Sequence, residues 1–196
     1  MKKAAKPNNG VSAEQARKAV RTLLRYAGDD PTREGLLDTP DRVARAWAEW
    51  FGGYHQQPDE VLAATFTEVG GYSGLVQLNG LRLYSHCEHH LAPIVGTVTI
   101  AYLPSGKVVG LSKLQRLVDV YGRRLQVQEK LTAQLADAMH HVLQPRGVAV
   151  VVRAEHFCMS SRGTCVPGVQ TVTSELRGVY LDDASARNEI LHLLGL

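Results

Sequence analysis

The segment IVGTVTIAYLPSG, residues 94–106, predicts a strand that a tight turn closes. Its first ten residues, 94–103, are mostly apolar or β-branched, which is typical of a strand within a sheet. Pro104, Ser105 and Gly106 are turn-forming residues and mark the end of this strand. The sheet that contains it must therefore be completed by segments on either side.

Three further strands and three helices are predicted around this segment. Residues 75–84 alternate loosely between apolar and polar side chains, which predicts a strand before it. Residues 112–143 carry a helical apolar stripe that breaks near Gly122 and 125–128, which predicts two helices. The remaining predicted elements are two β-branched strands and a final helix: 148–157, 171–181 and 184–194. The resulting order is β-β-α-α-β-β, followed by a helix.

The first third of the chain is predicted to be helical. Ser12 followed by Gln15 is a capping-box signature at the start of a helix over residues 12–28. A Thr-Pro-Asp triplet opens a second helix over about 39–51, with proline at its first helical position. A third, short helix follows Pro58. These helices precede the whole predicted sheet.

Charge is distributed unevenly along the 196 residues, whose formal net charge is +3. Residues 1–10 contain three lysines and no acid and are predicted to form a disordered leader. The remaining chain is neutral overall, which argues against a nucleic-acid-binding protein. No apolar run is long enough to cross a membrane, and no apolar signal core follows the basic start. Three cysteines are too few for a disulfide scaffold, so a cytoplasmic location is predicted.

Cysteine and histidine cluster in two places, SHCEHH at 85–90 and HFC at 156–158. A thiolate and an imidazole in one tight turn can bind the same metal, and zinc accepts both in tetrahedral geometry. His156 and Cys158 are two residues apart at the predicted end of a strand, so both would face one side. If the two segments meet, both cysteines and one histidine would form a three-ligand site with one position open, the catalytic pattern. The alternatives are simple burial, a disulfide between Cys87 and Cys158, and histidines that only decorate the surface.

A run of basic residues, 107–130, contains a predicted helix start and suggests an anion site; it carries six basic and two acidic side chains. Ser112 with Gln115 fits a second capping box, so starting the helix is the simplest role of that serine. Lys113 and Arg116 lie at this helix start, where backbone N–H groups already favour phosphate. A solvated helix face would explain the same run of charge.

The sequence QVQE, residues 126–129, lies at the break between the two predicted helices. Glu129 beside Gln128 could hold a guanidine-like edge, because one carboxylate accepts two parallel N–H bonds. Glutamate and glutamine at a helix start usually cap it, so this pattern alone is weak. Arg162, just after Cys158, could place a cation near the metal or simply end the strand.

Together these segments resemble the GTP cyclohydrolase I family. The resemblance covers most of the chain from about residue 12 and is densest over 84–178. SHCEHH, GLSKL, RRLQVQEKLT and EHFCM in this order are far more specific than any one of them alone. The other matching stretches are TPDRVA (39–44), GVAVVVRAEHFCMSSRG (147–163) and TVTSELRG (171–178).

The resemblance implies a zinc-dependent hydrolase. Zinc would be bound by residues matching Cys87, His90 and Cys158, and protons would be transferred by His89 and His156. The enzyme would open the imidazole ring of GTP at C8, release formate and form 7,8-dihydroneopterin triphosphate.

The resemblance also implies how the substrate is held. Glu129 would bind the guanine edge, with Gln128 beside it as a further catalytic residue, and Ser112 would lie near the ribose. The cations matched to the triphosphate are Lys113, Arg116, Arg162 and Arg42.

The fold implied by the resemblance is α+β, a tunnelling fold with an antiparallel four-stranded sheet and paired helices, preceded by an N-terminal helical hairpin. Residues 11–70 would form the helical extension and residues 71–196 the catalytic domain. The family assembles as a homodecamer of two pentamers with active sites between subunits, so the expected partners are GTP and further copies of the chain, without nucleic acid or membrane.

Two features depart from the family pattern, and three other functions compete. His86 stands where an apolar residue is usual and could offer a competing metal contact, and the loop 164–170 lacks the usual basic residues. Cys165 in that loop is interpreted as a bystander.

A related nitrile reductase lacks the Cys87-based ligand set, and a zinc deaminase requires a P-C-x-x-C motif that is missing. A zinc-stabilised guanine-nucleotide sensor without turnover would need no proton-transfer histidines.

Overall fold

The computed structural model describes residues 10–67 and 69–196, so the predicted leader lies outside the described residues except for Gly10. The helices are α1 (Ala13–Tyr26), α2 (Thr39–Trp50), α3 (Pro58–Leu62), α4 (Leu111–Gly122), α5 (Gln128–Leu143), α6 (Phe157–Ser160), α7 (Val179–Asp182) and α8 (Ala184–Leu193). The strands are β1 (Thr65–Phe66), β2 (Val76–Cys87), β3 (Pro93–Leu103), β4 (Val108–Val109), β5 (Leu125–Gln126), β6 (Gly147–His156) and β7 (Gln170–Gly178). Short 3-10 turns lie at Glu34–Leu36 and Gly52–His55. The chain is therefore mixed α+β, as predicted.

Five strands form the main sheet in the order β5-β2-β3-β6-β7. The four long strands are antiparallel to their neighbours, whereas the two-residue β5 is parallel to the end of β2. β1 and β4 form a separate two-stranded sheet. The four long strands were expected, but β5 was not, because two residues carry no readable strand periodicity.

The core lies on both faces of the sheet. Helices α4 and α5 cover one face and enclose the larger cluster of buried side chains, which includes Leu83, Leu117 and Leu135. Helices α7 and α8 cover part of the other face with a smaller cluster around Tyr180 and Ile190. β6 lies between them and is buried on both faces, which explains its unbroken run of valine and alanine. Each buried valine contributes about 1.5 kcal/mol or more to folding.

The N-terminal helices follow their sequence signals closely. The Ser12 hydroxyl accepts from the Gln15 N–H at 3.2 Å, and the Gln15 side chain accepts from the Ser12 N–H at 2.7 Å. The predicted capping box is therefore present. α1 also packs against α2, where Arg17 donates to Asp41 at 2.6 Å. Among the described residues, no helix combines the length and hydropathy needed to cross a bilayer.

The predicted capping box at the start of α4 is wrong. The helix begins at Leu111 after Gly110, and no side chain caps it. The Gln115 amide instead accepts from the Arg82 N–H at 2.9 Å and donates to the Arg82 carbonyl at 3.0 Å. Gln115 therefore bonds to the neighbouring strand instead of capping its own helix. The free edge of β2 offers it an N–H donor and a carbonyl acceptor on the same residue.

Strand ends differ from the sequence expectations near the chemistry. β2 continues to Cys87, β6 ends at His156, and Phe157 already begins α6. β7 ends at Gly178, where φ is +61° and a Cβ would lie 2.3 Å from the Arg146 carbonyl oxygen. Only glycine fits such a close approach with positive φ. The chain therefore turns into α7 instead of continuing the strand to residue 181.

Candidate metal centre and active site

The register of the sheet brings the two cysteine-histidine segments together. β2 and β6 flank β3 on either side and both run antiparallel to it. His86 pairs with Pro93, and Ile94 pairs with His156, so both outer strands end beside the first residues of β3. Segments about 70 residues apart in sequence therefore meet at one edge of the sheet.

A tight turn follows β2 and carries the histidines. The Cys87 N–H donates to the Ala92 carbonyl at 2.8 Å, and the Leu91 N–H donates to the Cys87 carbonyl at 2.9 Å. Leu91 adopts φ +56°, a left-handed conformation that costs a side-chain-bearing residue about 1–2 kcal/mol. The Glu88 N–H also donates to the Gln126 carbonyl at 3.0 Å, so β5 anchors the other side of the turn.

Cys87, His90 and Cys158 offer three ligand atoms that all lie within 4.8 Å of one another. The Cys87 sulfur is 3.9 Å from His90 Nδ1 and 3.8 Å from His89 Nδ1. Two thiolate or imidazole ligands of one tetrahedral zinc lie about 3.5–4 Å apart. The donor set and its spacing therefore fit zinc with only small side-chain adjustments. Within the described residues, these three form the one such group of potential ligands.

Cys158 reaches this cluster from a helical turn. It lies in α6, so the expectation that it shares a strand face with His156 is wrong. The reversal at Phe157 turns the cysteine back toward Cys87 instead. Burial raises the pKa of the Cys158 thiol, and the neighbouring Cys87 raises that pKa further. Two neighbouring thiols, one buried and one half-buried, favour a bound cation, because it stabilises their charged forms.

His156 forms the far wall of the same cleft. Its Nε2 lies 2.7 Å from Gln128 Oε1, and burial lowers the pKa of the imidazole while Glu129 opposes that shift. Gln128 is only 1% exposed. It therefore holds His156 from behind and is not free to contact a substrate.

Glu129 lies in the first turn of α5 and lines the cleft with Cys87, His89 and His156. Its side chain is exposed and makes no hydrogen bond or ion pair within the described part of the chain. Both carboxylate oxygens can therefore accept from a ligand.

Arg162 lies at the rim, with Nη1 3.3 Å from His90 Nε2. A ligand in this cleft would therefore meet a carboxylate, a cation and the metal-ligand cluster together.

Four of the proposed site residues lie elsewhere. Arg42 pairs with Asp38 at 3.1 Å on the exposed face of α2. Ser112, Lys113 and Arg116 lie in the first half of α4, the part of the helix that Gln115 ties to Arg82, while the end of that helix approaches β5. Arg82 precedes Cys87 by five residues, which in a strand is about 16 Å. One chain does not bring these residues to the metal ligands.

The basic run 107–130 is mostly engaged within the fold. Lys107 donates to a helix-end carbonyl, Arg123 and Arg124 donate to backbone carbonyls near the Gly52–His55 turn, and Lys130 pairs with Glu88. In the described structure, Lys113 and Arg116 are the members of this run without such a partner. Four of the six basic side chains in this run are thus engaged in contacts within the fold.

Two environments were missed by sequence reasoning. His86 lies 5.1 Å, centroid to centroid, from both Trp50 and Phe51, and it takes no part in the ligand group. It packs the helical extension against β2 and does not compete for metal. The hydroxyls of Thr132 and Thr173 hydrogen-bond to each other and to Gln128. In the sequence, the one sign of this cluster is that Gln128 and Thr132 lie one helical turn apart.

Comparison with known proteins gives a consistent family. The family model described as GTP cyclohydrolase I matches residues 16–195. A GTP cyclohydrolase 1 of Allorhizobium ampelinum is 53% identical over 183 residues, covering 93% of this chain and 91% of that protein. Those of Maricaulis maris and Brucella canis are 50% and 51% identical, covering 97% and 92% of this chain and 93% and 84% of their own lengths. A solved archaeosine synthase QueF-Like, in the apo form, is similar at TM-score 0.46 and 24% identity over 55% of this chain and 96% of its own.

Proposed function

This chain belongs to the GTP cyclohydrolase I family and is an enzyme of that class, and we propose that the cleft beside Cys87 is its active site. The observation that carries this proposal is the convergence of three potential metal-ligand atoms within 4.8 Å beside a half-buried histidine and a free carboxylate. Residues suited to metal binding, proton transfer and recognition of a purine edge thus line one cleft, which supports the proposal.

The metal would be zinc, held by Cys87, His90 and Cys158. When bound, zinc supplies Lewis-acid activation of a water molecule for attack at C8 of GTP. The chain contributes two soft thiolates and one imidazole on a turn that β5 and the Leu91 conformation hold in place. The same cleft is lined by His89 and His156, the residues proposed for proton transfer.

His89 and His156 would move protons as the imidazole ring of GTP opens and formate leaves. His89 follows Cys87 by two residues and lies against its sulfur, while His156 approaches from β6. A neutral imidazole near physiological pH can both accept and return a proton. Burial favours that form of His156, since it lowers the pKa of the ring, and the charge of Glu129 opposes the shift. The product expected from this sequence is 7,8-dihydroneopterin triphosphate.

Glu129 would hold the guanine by accepting from N1–H and the 2-amino group together. The cations proposed for the triphosphate are Lys113, Arg116, Arg162 and Arg42, and Ser112 would lie near the ribose. Arg162 is the member of this set beside the metal ligands, and Arg42 would have to exchange its contact with Asp38 for the phosphate.

We propose that a complete site needs a second copy of the chain. The α4 residues lie about 16 Å along the strand from the Cys87 cluster of their own chain. β7 is an edge strand of nine residues, and most of β2 also has a free edge, because β5 pairs only with His86 and Cys87. Long free edges of this kind favour strand pairing between copies. These features support the homodecamer of two pentamers and the tunnelling fold that the resemblance implies.

The division into an extension (11–70) and a catalytic domain (71–196), and the cytoplasmic location, stay predictions. For the extension, the packing of Trp50 and Phe51 on His86 supports a firm attachment to the sheet.

The direct test is turnover of GTP by the purified protein, with and without a metal chelator. We expect formate and, after oxidation, a fluorescent pterin, both abolished by the chelator and restored by zinc. Cys158→Ala should lose zinc and reduce turnover by about 10³-fold or more, because removing a metal ligand removes the activated water. Cys165→Ala is the matched control, since that thiol is exposed and lies outside the ligand group.

The outcomes separate enzyme from sensor. Zinc and GTP bound in stoichiometric amounts without formate would favour the nucleotide sensor and contradict the proposal. Equal loss of zinc in both cysteine variants would contradict the assignment of the ligands.

A further inference from the structure

A second cavity lies between one end of the sheet and helix α8, and its volume is about 250 Å³. Most of its wall is aliphatic. The aliphatic side chains that line it are Leu75, Leu103, Val179, Ile190 and Leu193. Pockets for drug-sized ligands have volumes of about 300–1,000 Å³, so this cavity suits a smaller molecule that carries an apolar group.

This cavity lies at the opposite end of the sheet from the proposed active site. Leu103 ends β3 and pairs with Gly147, whereas Ile94 near the start of β3 pairs with His156. The 11 residues of β3 separate the two ends by roughly 33 Å. No residue that lines the cavity also lines the cleft beside Cys87. A ligand in the cavity would therefore be separate from the GTP proposed to bind at the cleft.

Two side chains of opposite charge, Arg146 and Glu189, line the cavity together with its aliphatic wall. Both residues are exposed, and within the described part of the chain neither side chain forms an ion pair or a hydrogen bond. The two charges therefore do not neutralise each other or any neighbour. An unpaired cation and an unpaired carboxylate beside an apolar wall complement a ligand that carries both charges and an apolar group.

Tyr180 adds a polar group to the same wall. Its side chain is 7% exposed, and its hydroxyl makes no hydrogen bond among the residues that the structure describes. Its ring packs on Gly147, where a Cβ would lie 2.7 Å from Tyr180 Cδ2. Burial and the charge of Glu189 raise the pKa of the hydroxyl while Arg146 opposes the shift, so the hydroxyl is protonated at neutral pH. It is therefore a free donor, and a buried donor without a partner favours an acceptor on a ligand.

The sequence of α8 explains how one helix provides both apolar and charged groups to the cavity. Ala186, Glu189, Ile190 and Leu193 are spaced three or four residues apart, so they lie on one face of the helix. The small side chain of Ala186 leaves space between the helix and the sheet. Glu189 thus lies beside the aliphatic residues of the same face.

We propose that this cavity binds a free aliphatic α-amino acid of about the size of leucine. Arg146 and the Tyr180 hydroxyl hold its carboxylate, and Glu189 holds its ammonium group. Its side chain lies against the aliphatic wall. An aliphatic acid without an amino group is repelled by Glu189, and an aliphatic amine is repelled by Arg146, so the two charges select a zwitterion.

The alternative is that the cavity is a gap in the packing that only water fills. A gap of this kind would show no preference among small solutes. The proposed site requires three features of its ligand, namely a carboxylate, an ammonium group and an aliphatic side chain. Ligands that each lack one of these features therefore separate the two interpretations.

The first test is saturation-transfer difference NMR on the full-length, assembled protein. The probes are leucine, isocaproate without the ammonium group, isoamylamine without the carboxylate, and glycine without the side chain. We expect leucine to bind with a Kd of about 1 mM or below, which is reasonable for so small a ligand. Each analogue should bind about fivefold more weakly or worse, because it loses one of the three contacts.

The second test removes one protein charge at a time with little change of shape. Glu189→Gln should weaken leucine binding about fivefold or more and leave isocaproate binding unchanged or stronger. Arg146→Gln should weaken leucine binding similarly and leave isoamylamine binding unchanged or stronger. Asp182→Asn is the matched control, because that exposed carboxylate on α7 does not line the cavity. It should change the Kd for leucine less than about twofold.

Four outcomes would overturn the proposal. These are no saturable leucine signal up to about 10 mM, equal binding of leucine and isocaproate, displacement of leucine by GTP, and equal effects of the control and the two charge variants. Displacement by GTP would place leucine in the cleft beside Cys87. Circular dichroism shows whether each variant is folded, and the analogue series on the wild type decides the question if a variant is not.

Discussion

Cys87 has two duties, because it is both the last residue of β2 and the first proposed metal ligand. Its backbone closes the turn through hydrogen bonds to Ala92 and Leu91, while its side chain is 5% exposed and faces His90 and Cys158. The left-handed conformation of Leu91 is the cost of that turn. The backbone geometry of this turn therefore also determines where the proposed ligand atoms of Cys87 and His90 lie.

Glu129→Ala should keep the metal and lose discrimination between purines. A carboxylate that accepts from N1–H and the 2-amino group of guanine favours GTP over ITP, which lacks the 2-amino group, by roughly 10- to 100-fold. In the variant we expect the ratio of kcat/KM for GTP and ITP to approach one. Zinc content measured on the same samples should equal that of the wild type. An unchanged ratio would remove Glu129 from guanine recognition.

At the scale of elements, the site depends on two short segments, β5 and the Gly52–His55 turn, that pack beside the longer helices and strands. β5 is two residues long and joins α4 to α5, yet it holds the end of β2. The Gly52–His55 turn contacts the chain just before β5, where the Gly53 N–H donates to the Arg123 carbonyl at 3.1 Å. Arg124 also lies over the rings of Tyr54 and Tyr121. The helical extension thus buttresses the strand that carries Cys87.

Gly53→Ala should destabilise the protein by about 1–3 kcal/mol. A Cβ at this position would lie 2.3 Å from the Val120 carbonyl oxygen and 2.7 Å from that of Arg123, both backbone atoms. Urea unfolding followed by circular dichroism measures the loss. Gly52→Ala is the control, because a Cβ there meets nothing within 4 Å. Equal effects of the two substitutions would contradict a steric origin.

Glu155 holds the loop that carries Arg162. Its carboxylate accepts from the Ser160 hydroxyl at 2.5 Å and from the Gly168 N–H at 3.0 Å, and these bonds lower the pKa of Glu155. The depressed pKa means that the stabilisation is complete above the ordinary value of 4.5 and is lost as the pH falls through the folded-state pKa.

Limited proteolysis of residues 161–169 should therefore accelerate as the pH is lowered below about 4.5 in the wild type. Glu155→Gln is the matched variant, because its amide oxygen accepts the same hydrogen bonds and does not titrate. Its cleavage should therefore not show the acceleration at low pH that the wild type shows. Glu155→Ala should be cleaved faster at every pH. Parallel pH profiles for the wild type and Glu155→Gln would show that this carboxylate does not control the loop.

At the scale of the whole molecule, the proposed substrate groups are divided between the end and the middle of one strand, β2. The metal ligands lie at the end of β2, and Lys113 and Arg116 lie beside its middle. One chain holds the cleft proposed to bind the purine, and the α4 cations are not among the residues that line it. The proposed homodecamer would resolve this division if neighbouring copies place one set against the other.

Mixing two inactive variants tests that arrangement. Cys158→Ala lacks the metal and Arg116→Ala lacks a phosphate cation, so each should be inactive alone. After dissociation and joint reassembly, a site shared between neighbours has both intact halves in about a quarter of cases, and activity should return to that level. Sites built within one chain would remain inactive in every mixture. Assembly of each variant is checked by sedimentation.

The sequence alone was sufficient for most local structure and for the chemistry of the ligands. The helices α1, α2 and α5, the long strands and the capping box at Ser12 follow from periodicity and capping, which act over a few residues. The two cysteine-histidine segments were recognisable because few residue types bind zinc. The boundaries near Cys87 and Cys158 were wrong, since strand pairing and the turn into α6 override local pattern.

Tertiary structure decided everything that depends on distant segments meeting. The register of β2 and β6 on β3 brings Cys87 to Cys158, and the closing of α5 on β7 joins Thr132 to Thr173 around Gln128. His86 is a packing residue because Trp50 and Phe51 cover it, which no pattern near residue 86 reveals. The periodicity of a sequence indicates which face of a helix or strand is buried. It does not indicate which other helices and strands pack against that face, and a functional site depends on that packing. The residue types of the metal site were therefore readable from the sequence, and their convergence and orientation came from the fold.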